Sequence, residues 1–310
     1  MARSRVARKE AAWGYLFISP WLLGFVIFMG GPIVVSLALS LFSWDLLSPA
    51  RFVGLGNFGK IFQDRLFWQS LKVTAIYTLC GVPLSLVLGL TIAVLMNQKI
   101  PGLSIFRTLF YLPSVVSGVA VSLLWIWVYH PDFGLLNMSL KVLGIKGPAW
   151  LQDPMWALPS LIVMSLWQVG GTMIIYLAGL QGIPTQLYEA AWMDGANRGQ
   201  TFFRITIPMI TPVLLYNVIV SIINSLQVFT QPYIMTAGGP NYATLAYVMY
   251  LYRNAFQWFK MGYASALAWI LFLILLICTV FLLRSATTWV YYESGEPSVQ
   301  KAKNAVTKQA

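Results

Sequence analysis

Between Pro184 and Gly195 the chain reads Pro-Thr-Gln-Leu-Tyr-Glu-Ala-Ala-Trp-Met-Asp-Gly. Thr185 can cap a short helix whose first turn holds Glu189 and which Gly195 ends in a left-handed conformation. Leu187, Ala190, Ala191 and Asp194 recur at three- and four-residue spacing, giving one small apolar face with an acidic end. Alanine methyls let another surface come close. A helix lying in a lipid interface would instead carry large anchors and several Lys or Arg, so the chemistry expected here is protein docking.

A second constellation lies further on. Asn224, Gln227 and Gln231 recur at three- and four-residue spacing in an apolar stretch, with Ser221 and Ser225 alongside. Lipid cannot satisfy such amides, so they face a bundle interior. They either line a polar path or join helices, at about 0.6 to 2 kcal/mol per hydrogen bond. Trp167 and Gln168 precede Gly170 and Gly171 and offer a ring beside an amide. Amides and ring faces suit a neutral, polyhydroxylated solute better than an ion.

Other chemistries lack their residues. The spans hold no Asp pair, Ser-Lys pair or metal cluster, and no Gly-x-x-x-x-Gly-Lys-Ser/Thr loop occurs for ATP. No catalytic residue, metal or cofactor is therefore expected in this chain. Cys80 and Cys278 sit in apolar stretches as small apolar residues, and His130, beside Pro131, reads as a loop residue.

Six long uncharged stretches must position these residues: Ala11 to Trp44, Val73 to Gln98, Thr108 to Tyr129, Pro154 to Tyr188, Ile205 to Tyr252 and Met261 to Leu283. With 58% hydrophobic and 9% charged residues, each can hold the roughly 20 apolar residues a crossing needs. The fourth and fifth helices are expected near Trp156 to Leu180 and Ile210 to Phe229. Gly30, Gly31 and Pro32 mark a place in the first where the backbone can bend. Asn97 to Gly102 reads as a tight turn, and a short helix is expected around Leu135 to Leu143.

The formal charge of +11 reflects span flanks rather than a nucleic-acid surface. Arg3, Arg5, Arg8, Lys9, Lys99, Arg107, Arg198, Arg204 and Arg284 fall on one side of a six-span chain, which the positive-inside rule makes cytoplasmic. Arg51, Lys60, Arg65, Lys141, Lys146, Arg253 and Lys260 oppose them, so the bias is modest. The run from Trp13 to Phe42 is too long for a signal-peptide core, so it reads as a retained first helix. Residues 1–10 form a cytoplasmic N-terminus, 11–290 a transmembrane domain with a cytoplasmic loop at 182–209, and 291–310, with Lys301, Lys303 and Lys308, a disordered cytoplasmic tail.

Glu189, Ala190 and Ala191, then Gly195, Ile205, Ile207 and Pro208, resemble the EAA signature of ABC importer permeases, with Ile207 where that pattern has Leu. Gly54 to Phe58, Phe133 to Asn137, Gly179 to Pro184, Gly238 to Pro240 and Gly262 to Ala266 extend the likeness through Val290 to the maltose and glycerol-phosphate type of sugar permease. The resemblance implies an all-α membrane protein with the six transmembrane helices of the type I importer fold. It implies that Glu189, Ala190, Ala191, Asp194, Gly195, Ile205 and Pro208 couple the chain to a cytoplasmic ATPase. Asn224 and Gln227 match by position a sugar-contacting stretch, with Trp167 and Gln168 in the family's other one.

The implied partners are a second, homologous permease, two ATPase subunits holding ATP and Mg, and an extracytoplasmic solute-binding protein on the outer loops, Gly238 to Met261 included. The implied substrate is a carbohydrate, an oligosaccharide by preference, and the implied location a bacterial or archaeal inner membrane. A secondary carrier is the main rival, yet it normally needs an intramembrane acid, His or broken helix, and the uncharged stretches hold no Asp or Glu. An ion channel or intramembrane enzyme leaves the cytoplasmic signature unexplained. A permease for glycerol phosphate or polyamine should place charged groups in the path.

Overall fold

A computed structural model describes residues 5–98 and 100–291, without the side chains of Arg5 and Val6. Arg3, Lys99 and the tail expected to be disordered beyond Tyr291 lie outside the described residues. Among the described residues the regular structure is helical apart from a two-stranded hairpin.

Four stretches are long and apolar enough to cross a membrane alone: Ala7–Ser40, Arg65–Met96, Thr211–Met235 and Met261–Trp289. Two bent helix pairs are apolar enough to bring the number to six, each pair counted as one crossing. All six coincide with the stretches read from the sequence. The first comprises α1 (Arg5–Phe25) and α2 (Gly31–Ser40), joined by a π turn at Val26–Gly30. Pro32 brings no N–H to the ladder, and the strain is absorbed there as Gly31 N–H donates to the Val26 carbonyl, five residues back.

After α3 (Gly56–Gln63) and α4 (Arg65–Met96), the third crossing departs from the expected single helix. α5 (Leu103–Val115) and α6 (Gly118–Val128) meet at 99°. Val116 is extended and the Ser117 side chain accepts the Ala120 N–H at 3.3 Å, starting a fresh helix. α7 (Leu135–Val142) is the short loop helix expected there. α8 (Ala157–Leu166) and α9 (Gly170–Gln181) bend by 41°, because the N–H groups of Trp167, Gln168 and Val169 bond only three residues back, at 3.1, 3.2 and 3.3 Å.

α10 (Thr185–Met193), α11 (Arg198–Thr201), a π turn at Phe202–Thr206 and α12 (Ile207–Met209) form the loop between the fourth and fifth crossings. α13 (Thr211–Leu226) and α14 (Thr230–Met235) share the fifth. Pro232 has no N–H for the Val228 carbonyl, so regular helix stops at Gln227 and resumes after Phe229. α15 (Tyr247–Tyr252), a π turn at Arg253–Gln257 and α16 (Met261–Trp289) are the last helical elements among the described residues.

The chain divides into two compact units. One holds the described residues up to Trp68 with Tyr250–Ile274; the other holds Gln69–Met249 and the chain from Leu275. In the first, β1 (Phe42–Ser43) pairs antiparallel with β2 (Arg51–Phe52), Phe42 opposite Phe52. The buried Asn57 side chain donates to the carbonyls of Ser40 and Phe42 at 2.8 and 2.9 Å. Gly262 meets the Phe42 carbonyl so closely that a Cβ would lie 1.8 Å from its oxygen. In the second unit Ile92 and Met96, Met173 and Tyr176, and Ile183 and Ile210 pack in one core.

Candidate functional site

The short helix expected between Pro184 and Gly195 forms as α10, with one correction to its start. Pro184 is the N-cap residue and Thr185 is the first residue of the helix, with no side-chain cap. Proline's fixed φ suits the entry to a helix, and Glu189 accordingly falls in the second turn. The end agrees with expectation. Gly195 has φ +78°, its N–H bonds the Trp192 carbonyl at 3.1 Å and the Ala196 N–H reaches Ala191 at 2.9 Å. This doubly bonded left-handed stop is what glycine allows at least strain.

Tyr188 anchors the helix by packing against the Ile92 and Tyr176 core and meeting Thr206 Oγ1 at 3.1 Å. That contact joins α10 to the segment carrying Ile205 and Pro208. Glu189, Ala190, Asp194 and Gly195 are exposed, Ala191, Ile205 and Pro208 half-buried. Apart from its chain neighbours, no atom of the described residues lies within 4 Å of where a Gly195 Cβ would stand. The structure adds two large apolar side chains that the alanine pattern did not single out, Met193 at 89% and Trp192 at 60% exposure. After the turn, Asn197 and Gln200 cap each other reciprocally, each bond 2.9 Å; Asn-x-x-Gln was a legible signal for it.

The second site is a cavity of about 340 Å³ in the second unit. Gln168, Asn224, Gln227 and Gln231 all line it, with rings from Tyr77 and Phe229. No charged side chain is among its lining residues. Gln168 donates to the Pro113 carbonyl at 3.5 Å and Ser225 donates to Thr78 Oγ1 at 2.9 Å, while Asn224 and Gln227 stand open.

Two expectations change here. Gln227 and Gln231 do not share one continuous helical stripe, since the break at Gln227–Phe229 separates them; they meet because α14 restarts in a new direction. Trp167 does not line the cavity. It turns to Trp125, ring centroids 6.1 Å apart and edge-on at 69°. Neighbours in a helical turn point about 100° apart, so Gln168 and Trp167 face different ways.

The bend before Gly170 and Gly171 falls where those glycines permit a kink, whereas the breaks in the third and fifth crossings were not expected, although Pro113, Ser117-Gly118 and Pro232 signal them. α6 packs against α14, where Gly118 leaves its ideal Cβ position 3.6 Å from Gln231 Nε2. Non-helical backbone at membrane depth is tolerated where protein or a cavity covers it, and two of the three breaks put an amide side chain on this cavity wall.

The family described as binding-protein-dependent transport system inner membrane component matches residues 81–289. The chain belongs to this family. The permease is 46% identical over 301 residues to the probable ABC transporter permease protein YesP of Bacillus subtilis (strain 168), covering 96% of this chain and 97% of that one. It is 36% identical to the lactose transport system permease protein LacF of Rhizobium radiobacter, over 89% and 94% of the two chains. It is 33% identical to the trehalose/maltose transport system permease protein MalF of Thermococcus litoralis, over 91% and 96%.

Its fold matches a solved structure of a bacterial ABC transporter involved in the import of the acidic polysaccharide alginate. The TM-score is 0.81 at 24% identity, covering 92% of this chain and 99% of the other. The permease is thus a multi-pass membrane protein with the helical fold of that importer class, and its role is transport.

Proposed function

We propose that this permease forms half of the translocation path of an ATP-driven importer for a carbohydrate, the cavity at Asn224, Gln227, Gln231 and Gln168 being the part of the path built by this chain. The observation that carries the reading is the cavity's lining, rich in amides, ringed and uncharged. A sugar needs hydrogen-bond partners and ring faces but no counter-ion. Relatives named for lactose and for trehalose and maltose transport support it, and the absence of charge on the wall disfavours glycerol phosphate or polyamine.

In this reading ATP and Mg belong to two cytoplasmic ATPase subunits, and the permease has no nucleotide site of its own. α10 docks in an ATPase cleft through Glu189, Ala190, Ala191, Asp194 and Gly195, with Ile205 and Pro208 passing movement to α13. A second, homologous permease completes the path and an extracytoplasmic binding protein delivers an oligosaccharide. Both termini and the loop 182–209 face the cytoplasm of a bacterial or archaeal cell, the side its basic flanks select.

The test is ATPase activity of the purified complex in nanodiscs across a panel of mono- and oligosaccharides, with and without binding protein. Stimulation by one sugar together with its binding protein is the expected result. If no ATPase subunit co-purifies and uptake follows a proton or sodium gradient, the reading fails.

A further inference from the structure

We propose that α7 and the turn after it form a membrane-surface anchor, seated in the phospholipid headgroup layer on the side opposite the EAA loop. The segment is rigidly built. Asn137 donates to the carbonyls of Pro131 and Pro148 at 2.9 and 3.2 Å and accepts the Trp150 indole N–H at 2.7 Å. Gly144, at φ +74°, ends the helix in a left-handed stop, the Ile145 N–H bonding the Leu140 carbonyl at 2.9 Å. A loop held this firmly should hide its apolar groups, and it does the reverse.

Leu135, Met138 and Val142 recur at three- and four-residue spacing on one outward stripe of α7, at 54%, 56% and 87% exposure. Leu143 and Ile145 continue it at 72% and 53%. Asn137 and Leu140, on the other side, are half-buried. Single exposed apolar residues need no explanation, but a contiguous rigid patch does.

Two observations name the occupant. The first is continuity: α7 lies in the chain between α6, which ends at Val128, and α8, which starts at Ala157, each belonging to a bent helix pair apolar enough to be a crossing. A Gly134 N–H to His130 carbonyl bond of 2.9 Å ties α7 to the end of α6, against which it packs. The patch continues the exposed apolar surface of those crossings, where Trp127 and Trp156 are also exposed, as indoles are at a membrane boundary. The second is charge: Lys141 and Lys146 are exposed beside the stripe, placed to meet lipid phosphates while the apolar groups enter the acyl boundary. α10, with no lysine or arginine between Thr185 and Met193, lacks this pattern.

The anchor has a consequence for the cavity. A 99° bend separates α6 from α5, so α6 cannot be held by continuity of the helix. Seating α7 fixes the end of α6, whose other end, at Gly118, stands beside Gln231.

The experiment uses the full complex in nanodiscs of phosphatidylcholine and phosphatidylglycerol, with Cys80 and Cys278 replaced by alanine and an environment-sensitive fluorophore on a Val142→Cys variant. The expected result is blue-shifted emission, strong quenching by headgroup-proximal nitroxide lipids and several-fold weaker quenching by iodide than for a label on Glu10→Cys. The pair Lys141→Glu and Lys146→Glu should return the label to water while ATPase subunits still co-purify. Emission typical of water with full iodide quenching overturns the proposal. So does a label that iodide reaches until binding protein is added, which would assign the patch to that protein.

Discussion

The Tyr188 hydroxyl lies 3.1 Å from Thr206 Oγ1, joining α10 to the segment that leads into the fifth crossing. The contact links α10 directly to the segment that carries Ile205 and Pro208, in addition to the capped turn between them.

Gly195 tests docking separately from folding. Its φ of +78° makes Gly195→Ala cost about 1 kcal/mol of local strain, and among the described residues nothing beyond its chain neighbours lies within 4 Å of a Cβ there. Gly195→Ala should keep ATPase subunits bound, whereas Gly195→Trp should insert normally and lose them on affinity purification. Equal co-purification of wild type and the Trp variant would show that the space beside Gly195 is not the docking cleft.

Gly170 and its neighbour make an internal control on the fourth crossing. A Cβ at Gly170 would stand 2.3 Å from the Phe110 carbonyl oxygen, while one at Gly171 meets nothing within 4 Å. Gly170→Ala should therefore destabilise by about 1 to 3 kcal/mol through overpacking, and Gly171→Ala should do little. Thermal unfolding in detergent followed by tryptophan emission would separate the two.

The cavity amides should act on transport without acting on assembly. Asn224→Leu and Gln227→Leu remove hydrogen-bonding groups from an open wall, and each should lower sugar-stimulated ATPase by about tenfold, equivalent to about 1.4 kcal/mol, with ATPase subunits still bound. Trp167→Phe, away from the cavity and edge-on to Trp125, should leave sugar selectivity unchanged. An effect at Trp167 as large as at Gln227 would show that the path runs elsewhere.

Asp64 should make stability fall in acid. Partial burial raises its carboxyl pKa, but hydrogen bonds from the Tyr250 and Tyr263 hydroxyls outweigh that and hold it below the ordinary value. A depressed folded pKa contributes stability that is present above the unfolded value of about 3.9 and is lost as pH falls through the folded pKa. Asp64→Asn should lower the thermal midpoint at neutral pH and flatten its decline below about pH 4. Parallel pH profiles for the two proteins would contradict this.

Much was legible in the sequence because its causes are local. Apolar length alone marks six crossings, since lipid tolerates little else over about 20 residues. The stop of α10 at Gly195 follows from glycine's access to positive φ, and the amides at 224, 227 and 231 stand out against an apolar background. Thr185 was misjudged as a cap because the preceding proline is equally able to open a helix.

What the sequence by itself determined is membrane residence, the apolar stretches and the short helix that ends at Gly195, each set by composition or by side chains a few residues apart. The tertiary structure decided which breaks become bends, that Gln168 faces the cavity while Trp167 turns away, and that Asp64 meets Tyr250, 186 residues later. Those outcomes depend on which neighbour reaches a freed carbonyl or an unpaired carboxylate first. That is settled only when distant segments pack together.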